Sequence, residues 1–425
     1  MSRIVKRRWD SDLAGLGIPR RDRRSCEYEA YVPDRLAERR FNFDGEVAAD
    51  IADAERAIAR LNEEAGALVD TEALARILLR SEAVASSRIE GLEIGARRLL
   101  HAEAERRTPE GSSDVTATEV LGNIDAMVFA TSAIGVGDPI GLDTLLEIHR
   151  RLLDGSRIAA YAGVLRTEQN WIGGSSYNPC SAAFVPPPPE LVPDLMTDLC
   201  TFATGDDLPA VAQAAIAHAQ FETIHPFADG NGRTGRALIH LVLRRRGLAV
   251  QVLPPVSLVL ATWAKDYIGG LSNYRYRGPS TSRAAHDSLN RWTELFATAC
   301  ARAVDDALTF QHRITEIEAQ WRESLGAVRS RSATDLLLRA LPGAPVLTVD
   351  SAATLIGRTF NPANEAIQRL VAAGIVKQVT IGRRNRAFEA PDVITAFTAL
   401  ERQLASPSGD TRLTKPVRPI PAPRG

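Results

Sequence analysis

His225-Pro226-Phe227-Ala228-Asp229-Gly230-Asn231-Gly232-Arg233-Thr234-Gly235-Arg236 is a turn between two helical stretches, and its residues are those of an anion site. Gly230 and Gly232 let the backbone take positive φ and turn its N–H groups inward, and Asn231 tolerates the same geometry. The helix that follows adds its N-terminal dipole and unpaired N–H groups. Arg233 and Arg236, three apart, share a face and suit phosphate oxygens. Asp229 is a hard oxygen ligand suited to Mg²⁺ held jointly with phosphates. His225, at the lip, can be neutral near pH 7 and take a proton from an incoming hydroxyl. A capped helix–loop–helix with surface arginines would need only the glycines. With residue frequencies near ~5%, eight such fixed positions meet by chance roughly once in ten billion starts.

Outward from the turn, the chain reads as mostly helical. An Ala-rich helix opens at Pro209 and reaches Ile224, and another runs from about Arg233 to Arg246, stopped by Gly247. Residues 46–65, 71–90, 140–153 and 301–325 carry helical composition or periodicity, and residues 108–113 are a polar break. Residues 161–190 differ. Tyr161, Val164, Trp171, Ile172, Tyr177 and Phe184 are interspersed with Gly, Ser and Asn and meet the run Pro186 to Pro189, which is hairpin-and-loop chemistry.

Residues 1–24 hold eight Lys or Arg against three Asp with little apolar periodicity, the pattern of a solvated arm. After residue 332 the pattern changes again. Asn361 and Pro362 read as an N-cap and first helical residue, with Ala363, Ala366, Ile367, Leu370 and Val371 on one face. Strand-like runs at 376–380 and 387–389 flank a basic turn that holds Arg383, Arg384 and Arg386. Helices followed by a basic hairpin resemble a winged helix. The Pro-, Ser- and Arg-rich end reads as disordered.

Composition bounds the function. At 425 residues, with 45% hydrophobic residues and a formal charge of −1, the chain is an ordinary globular protein of several domains. It is not a globally basic nucleic-acid binder. No run of about 18 apolar residues is present, so no membrane role is expected. Cys26, Cys180, Cys200 and Cys300 fit neither a zinc ribbon nor a C-x-x-C pair. Buried reduced thiols in a cytoplasmic protein are the expectation.

The turn resembles the H-x-F-x-D-G-N-G-R-x-x-R signature of the Fic family at every defined position. Residues 166–174 and 184–188 resemble that family's flap. The resemblance implies a mainly α fold: a Fic-type helical core with one β-hairpin flap, here joined to a small C-terminal winged-helix-like domain. The expected division is an N-terminal helical region at 1–138, a catalytic core at 139–300 and a connecting helix at 301–327. A winged-helix-like domain at 328–398 and a tail at 399–425 complete it.

Carried onto this sequence, the resemblance makes His225 the base that deprotonates a target hydroxyl. Asp229 holds Mg²⁺ against the phosphates of ATP. Gly230, Asn231 and Gly232 form the anion hole with Arg233, and Arg236 takes the γ-phosphate. Trp171, Ile172 and Gly173 belong to the flap that binds the protein target. The implied reaction is transfer of AMP to a Tyr, Ser or Thr hydroxyl.

Upstream, Ser86-Ser87-Arg88-Ile89-Glu90-Gly91 matches the family's inhibitory pattern [S/T]-x-x-x-E-[G/N]. Glu90 ends a helix with Gly91 after it. A carboxylate at a helix C-terminus opposes the dipole and gains from a cation, which the resemblance gives as Arg236. Two other readings stay open: a transcription regulator whose nucleotide site is a sensor, and an enzyme that also removes AMP with Glu90 positioning water. The intact His225 argues for chemistry. Self-modification, homo-oligomers and DNA contact through the C-terminal domain are left open by the sequence.

Overall fold

The computed structural model describes residues 1–10, 20–66, 71–108, 111–382 and 385–405. The chain begins with two strands, β1 (Arg3–Trp9) and β2 (Cys26–Val32). The N-terminal helices are α1 (Gly45–Gly66), α2 (Thr71–Ile89), α3 (Ala96–Glu105) and α4 (Val115–Ser132). Next come α5 (Leu142–Leu153), α6 (Val192–Thr204), α7 (Ala210–Ile224) and α8 (Asn231–Arg245). The core closes with α9 (Val256–Thr262), α10 (Ala264–Tyr274) and α11 (Arg283–Leu325). The C-terminal unit contains α12 (Ala333–Ala340), β3 (Val346–Leu347), α13 (Val349–Ile356) and α14 (Phe360–Ala372). It finishes with β4 (Lys377–Ile381), β5 (Asn385–Glu389) and α15 (Pro391–Ala405).

Helix α7 is the centre. Every one of its residues is buried, which is why its sequence is Ala-rich and shows no polar stripe. Helix α8 packs on it, and α2 is fastened to α8 and α9. Glu82 of α2, fully buried, accepts from Ser257 N (2.7 Å) and Ser257 Oγ (2.5 Å) and pairs with His240 Nε2 of α8 (2.8 Å). That contact fixes the middle of α2 against the second half of α8.

Close approach of α4 and α5 depends on Gly122, where a Cβ would lie 2.7 Å from the Leu152 carbonyl oxygen. Gly122→Ala on an open helix face would gain about 1 kcal/mol. Here overpacking against backbone, costing about 1–3 kcal/mol, outweighs that gain. A lowered urea midpoint is therefore expected, and an unchanged or raised midpoint would refute the close packing.

The N-terminal segment is not a solvated arm over its described part. Residues of β1 pair with all seven residues of β2, from Arg3↔Val32 to Trp9↔Cys26. The cations of β1 project outward while Trp9 packs edge-on against Trp171 of the flap (5.4 Å between ring centres). In the flap itself, strand pairing is confined to the bridge between Ile172 and Phe184. Gly173 and Gly174 take positive φ there, and Pro186 to Pro189 offer no N–H groups to extend a ladder.

Reduced thiols are the second expectation the structure overturns. Cys26 of β2 and Cys180 of the flap form a disulfide, 154 residues apart in sequence with Cα atoms 5.9 Å apart. Cys200 and Cys300 are free and buried, as expected. The disulfide removes the thiol argument for a reducing compartment. No helix among the described residues is long and apolar enough to cross a membrane.

The connecting helix is the second half of α11, one helix of 43 residues that starts at the Ser282 cap. In the C-terminal unit the strands order as β3-β5-β4, antiparallel. Helix α14 begins two residues earlier than the Asn361–Pro362 pair suggests, with Thr359 in the cap position. Helix α15 carries regular structure through residues 399–405, into the segment expected to be tail. Residues 11–19 and 406–425, and Arg383 and Arg384 of the basic turn, lie outside the described residues. Arg369 of α14 donates to the carbonyls of Leu325 (3.4 Å) and Ala327 (2.8 Å).

This unit docks on α2 and α3. Glu389, 2% exposed, is surrounded by Arg97 (3.0 Å), His101 (2.8 Å) and Lys377 (3.0 Å). Arg80 of α2 donates to the Gly343 carbonyl (2.6 Å) while holding Glu103.

Candidate active site

The turn between α7 and α8 is built by its neighbours. His225 sits in left-handed backbone (φ 51°), a conformation a non-glycine residue keeps only when its surroundings impose it. Its N–H donates to Phe221 O (2.8 Å), closing α7. Its carbonyl accepts from Arg166 Nε (2.9 Å) and Asn170 Nδ2 (3.2 Å). Arg166, in the segment leading to the flap, also donates to Glu168 and Pro187 carbonyls and so binds flap and turn together. Asn231 holds the turn from the other end, accepting from Phe227 N (2.8 Å) and donating to Phe227 O (2.9 Å).

Of Gly230, Asn231 and Gly232, only Gly230 takes positive φ (76°); Asn231 and Gly232 are already helical. The second glycine has another reason. A Cβ at Gly232 would lie 1.9 Å from Glu90 Oε1 and 3.0 Å from an Arg236 guanidinium nitrogen, so the open face is needed by whatever sits on the first turn of α8. That turn has no side-chain cap, leaving its N–H groups to a ligand or water.

Arg236 is 1% exposed and saturated with partners. Nε donates to Ser86 Oγ (2.8 Å), and one terminal nitrogen donates to Ser86 O (2.8 Å) and Glu90 Oε1 (2.7 Å). Tyr267 Oη lies 3.4 Å from the other. Burial would lower the Arg236 pKa, but Glu90, Tyr267 and Glu222 together raise it. Burial would push the Glu90 carboxyl up; Arg236 outweighs it, with help from Arg233 and His225, and holds it below the usual value. The Glu90 side chain is nevertheless 37% exposed, so this is a contact at a rim. Gly91 follows with φ 81°, ending α2 as its sequence suggests.

Arg233 is 6% exposed and its Nε has no hydrogen-bond partner among the described residues. Burial holds its pKa below the ordinary arginine value. Asp229, Glu90 and Glu119 offset that in part, and the unpartnered buried Nε is a donor that an anion can satisfy. Asp229 is exposed, with Oδ1 on Gly230 N (2.5 Å). Its carbonyl accepts from His149 Nε2 (3.0 Å), since His149 Nδ1 accepts from Gly163 N (2.9 Å). Burial pushes His149 down to about 4, and its ring stacks on Phe227 at 3.7 Å. His149 therefore supports the turn as a neutral ring.

His225, Gly232, Arg236, Glu90 and the flap residues Trp171, Ile172 and Gly173 line one cavity of about 1120 Å³. Asp229 and Arg233 line a smaller one of about 370 Å³ with Glu119 and Arg157. The flap is tied down by its disulfide and by Tyr31 N donating to Val185 O (2.9 Å). Burial, with Arg166 adding to it, lowers His225 to about 4, so the ring is neutral at pH 7 and able to accept a proton. Sequence reading missed Arg166, His149, Glu222 and Tyr267; each lies on a different element from the groups it supports, or within the uniformly buried α7.

Fold and site together define an α-helical protein with a helix-capped anion turn, a neutral histidine at its lip and an internal carboxylate on its main cation. Residues 139–243 match the Fic/DOC family and residues 48–132 match the Fic/DOC family N-terminal region, so the chain contains a Fic/DOC domain with its N-terminal region. It is 34% identical over 162 residues to protein adenylyltransferase fic-1 of Caenorhabditis elegans, covering 37% of this chain and 29% of that protein. Protein adenylyltransferase Fic of Nematostella vectensis is 30% identical over 199 residues, 46% of this chain and 40% of that one. The chain thus spans less than half the length of these curated relatives. A crystal structure of a Fic family protein from Desulfovibrio desulfuricans G20 shares the fold, with a TM-score of 0.51 and 21% identity over 82% of this chain and 97% of that one.

Proposed function

We propose that the protein transfers AMP from ATP to a hydroxyl side chain of a protein target, and that Glu90 holds this activity down. The observation that carries the reading is the Glu90–Arg236 contact lying over Gly232, on the uncapped start of α8 and in one cavity with a neutral His225. His225 accepts the hydroxyl proton as the oxygen attacks the α-phosphorus. The bond from that phosphorus to the bridging oxygen breaks, and pyrophosphate leaves. The chain's contribution is positioning and charge: N–H groups of α8, the buried Arg233, and Arg236 on the terminal phosphate.

Mg²⁺ fits the donor set in a limited way. No group of three or more His, Cys, Asp or Glu ligands lies together among the described residues. A single exposed carboxylate suits Mg²⁺, which keeps waters and shares phosphates. Asp229 would hold it, and the ion would supply charge neutralisation at the phosphates.

Intact mass of the Glu90→Gly chain after incubation with Mg²⁺ and each nucleoside triphosphate tests the reading. Addition of one AMP mass with ATP, and none with the other nucleotides, is expected. No addition to the chain or to co-incubated lysate protein would refute the activity; addition with another nucleotide would refute the donor.

A further inference from the structure

Two buried polar atoms beside the reaction centre have no hydrogen-bond partner among the described residues: His225 Nδ1 and Glu222 Oε1. They belong to residues three apart at the end of α7. His225 Nδ1 and Glu222 Oε2 are 3.9 Å apart, with side chains 19% and 9% exposed. We infer, resting on the transferase reading, that Glu222 is the positioning residue of His225. Its carboxylate accepts the Nδ1 hydrogen, leaves Nε2 as the base, and balances the charge the ring gains on taking the hydroxyl proton.

The gap is too long for a hydrogen bond and closes only with a rotation of ring or carboxylate. Fold geometry keeps Glu222 in place for it. A Cβ at Gly235 of α8 would stand 2.7 Å from Glu222 Oε1, so this glycine makes room for the carboxylate between α7 and α8. The charged and titratable groups around Glu222 are His218 on α7, Arg236 on α8, Glu90 after α2, Tyr267 on α10 and Arg275 beyond it. Around His225 stand Arg166, Arg275 and Glu90. The other acceptor Glu222 offers to Nδ1 is its own main-chain carbonyl.

Burial, with Glu90 adding to it, raises Glu222 to about 7 against the pull of Arg236 and Arg275. Its charge therefore changes within the neutral range. As pH falls through that value the carboxylate is lost, and with it the acceptor for Nδ1–H and the charge balance. Transfer should fall on the acid side of about pH 7, well above the point where His225 itself, at about 4, would be protonated.

The test compares Glu90→Gly with Glu90→Gly/Glu222→Gln, both as full chains. The second variant should lose roughly ten- to a hundredfold in kcat for self-AMPylation with KM for ATP little changed, part of a general base's ~10²–10⁴. Its pH profile should lose the acid limb that Glu222 sets, a limb that lies lower in the Glu90→Gly background because Glu90 no longer raises Glu222. Glu90→Gly/Glu222→Asp should recover part of the rate. Independently of activity, nitrogen-15 NMR of labelled histidine should show the Nδ1–H tautomer of His225, with a lower midpoint in the Gln variant. An unchanged tautomer and midpoint would assign Nδ1 to the main-chain carbonyl and overturn the inference. So would parental rate with an unaltered profile. If Glu90→Gly transfers nothing at all, the transferase reading fails while the NMR comparison still decides the pairing.

Discussion

His225→Ala in the Glu90→Gly background is expected to abolish AMP incorporation while ATP still binds. Among the described residues no hydrogen bond links the imidazole to the groups proposed to hold the phosphates, the α8 N–H groups, Arg233 and Arg236. Only the proton acceptor is removed, and its ring is neutral at pH 7 because burial and Arg166 lower it to about 4. A general base contributes roughly 10²–10⁴-fold, so incorporation of labelled AMP should drop by at least that much. ATP affinity by calorimetry should change within a few-fold. The left-handed backbone at 225 adds a second arm to the experiment. His225→Asn tolerates that conformation better than Ala and keeps a polar side chain, but provides no base. Both variants should be inactive. Near-parental labelling in either would remove His225 from the chemistry.

The turn was legible in the sequence because its chemistry is local. Twelve consecutive residues carry the histidine, the carboxylate, the glycines and both arginines, and the helices on either side are set by Pro209 and Gly247. Ser86 and Glu90 were legible for the same reason, as one short stretch at a helix end. The contact between that stretch and Arg236 crosses about 150 residues, and only the family resemblance suggested it. What could not be read depends on such crossings without a local mark. Cys26 and Cys180 show no pairing motif, because strand β2 and the flap meet only in the fold. Strand β1 hides its alternation under four cations, Arg3, Lys6, Arg7 and Arg8. His149 looks like an ordinary core residue of an amphipathic helix, and only the Gly163 and Asp229 contacts reveal what it supports. Glu222 lies in a helix buried on every side, where periodicity carries no information about which face meets the site.

Glu90→Gly is expected to raise self-AMPylation by roughly tenfold. A charge-assisted hydrogen bond contributes about 1.5–3 kcal/mol, and the 37% exposure of the Glu90 side chain places this one at the lower end. About 1.4 kcal/mol corresponds to a factor of ten. The gain depends on Arg236 staying where the γ-phosphate needs it. It does so after the mutation, because Ser86 still accepts two of its hydrogen bonds and Tyr267 stands beside it. Inhibition of this kind acts on the pose of ATP and not on its occupancy, so the nucleotide's affinity should change less than the rate. Arg236→Ala should not mimic the release, since it removes the group both anions compete for. Nor does acid substitute for the mutation. The Glu90 carboxyl is held below its usual value, so the contact persists at neutral pH and is lost only as pH falls through that lowered value. Glu222 has lost its charge by then, and His225 at about 4 begins to take a proton of its own. Labelled AMP incorporation into wild type, Glu90→Gly and Glu90→Gly/Arg236→Ala at pH 8 decides the matter. Equal labelling of wild type and Glu90→Gly would leave Glu90 a helix-terminal residue with a salt bridge and no hold on the reaction.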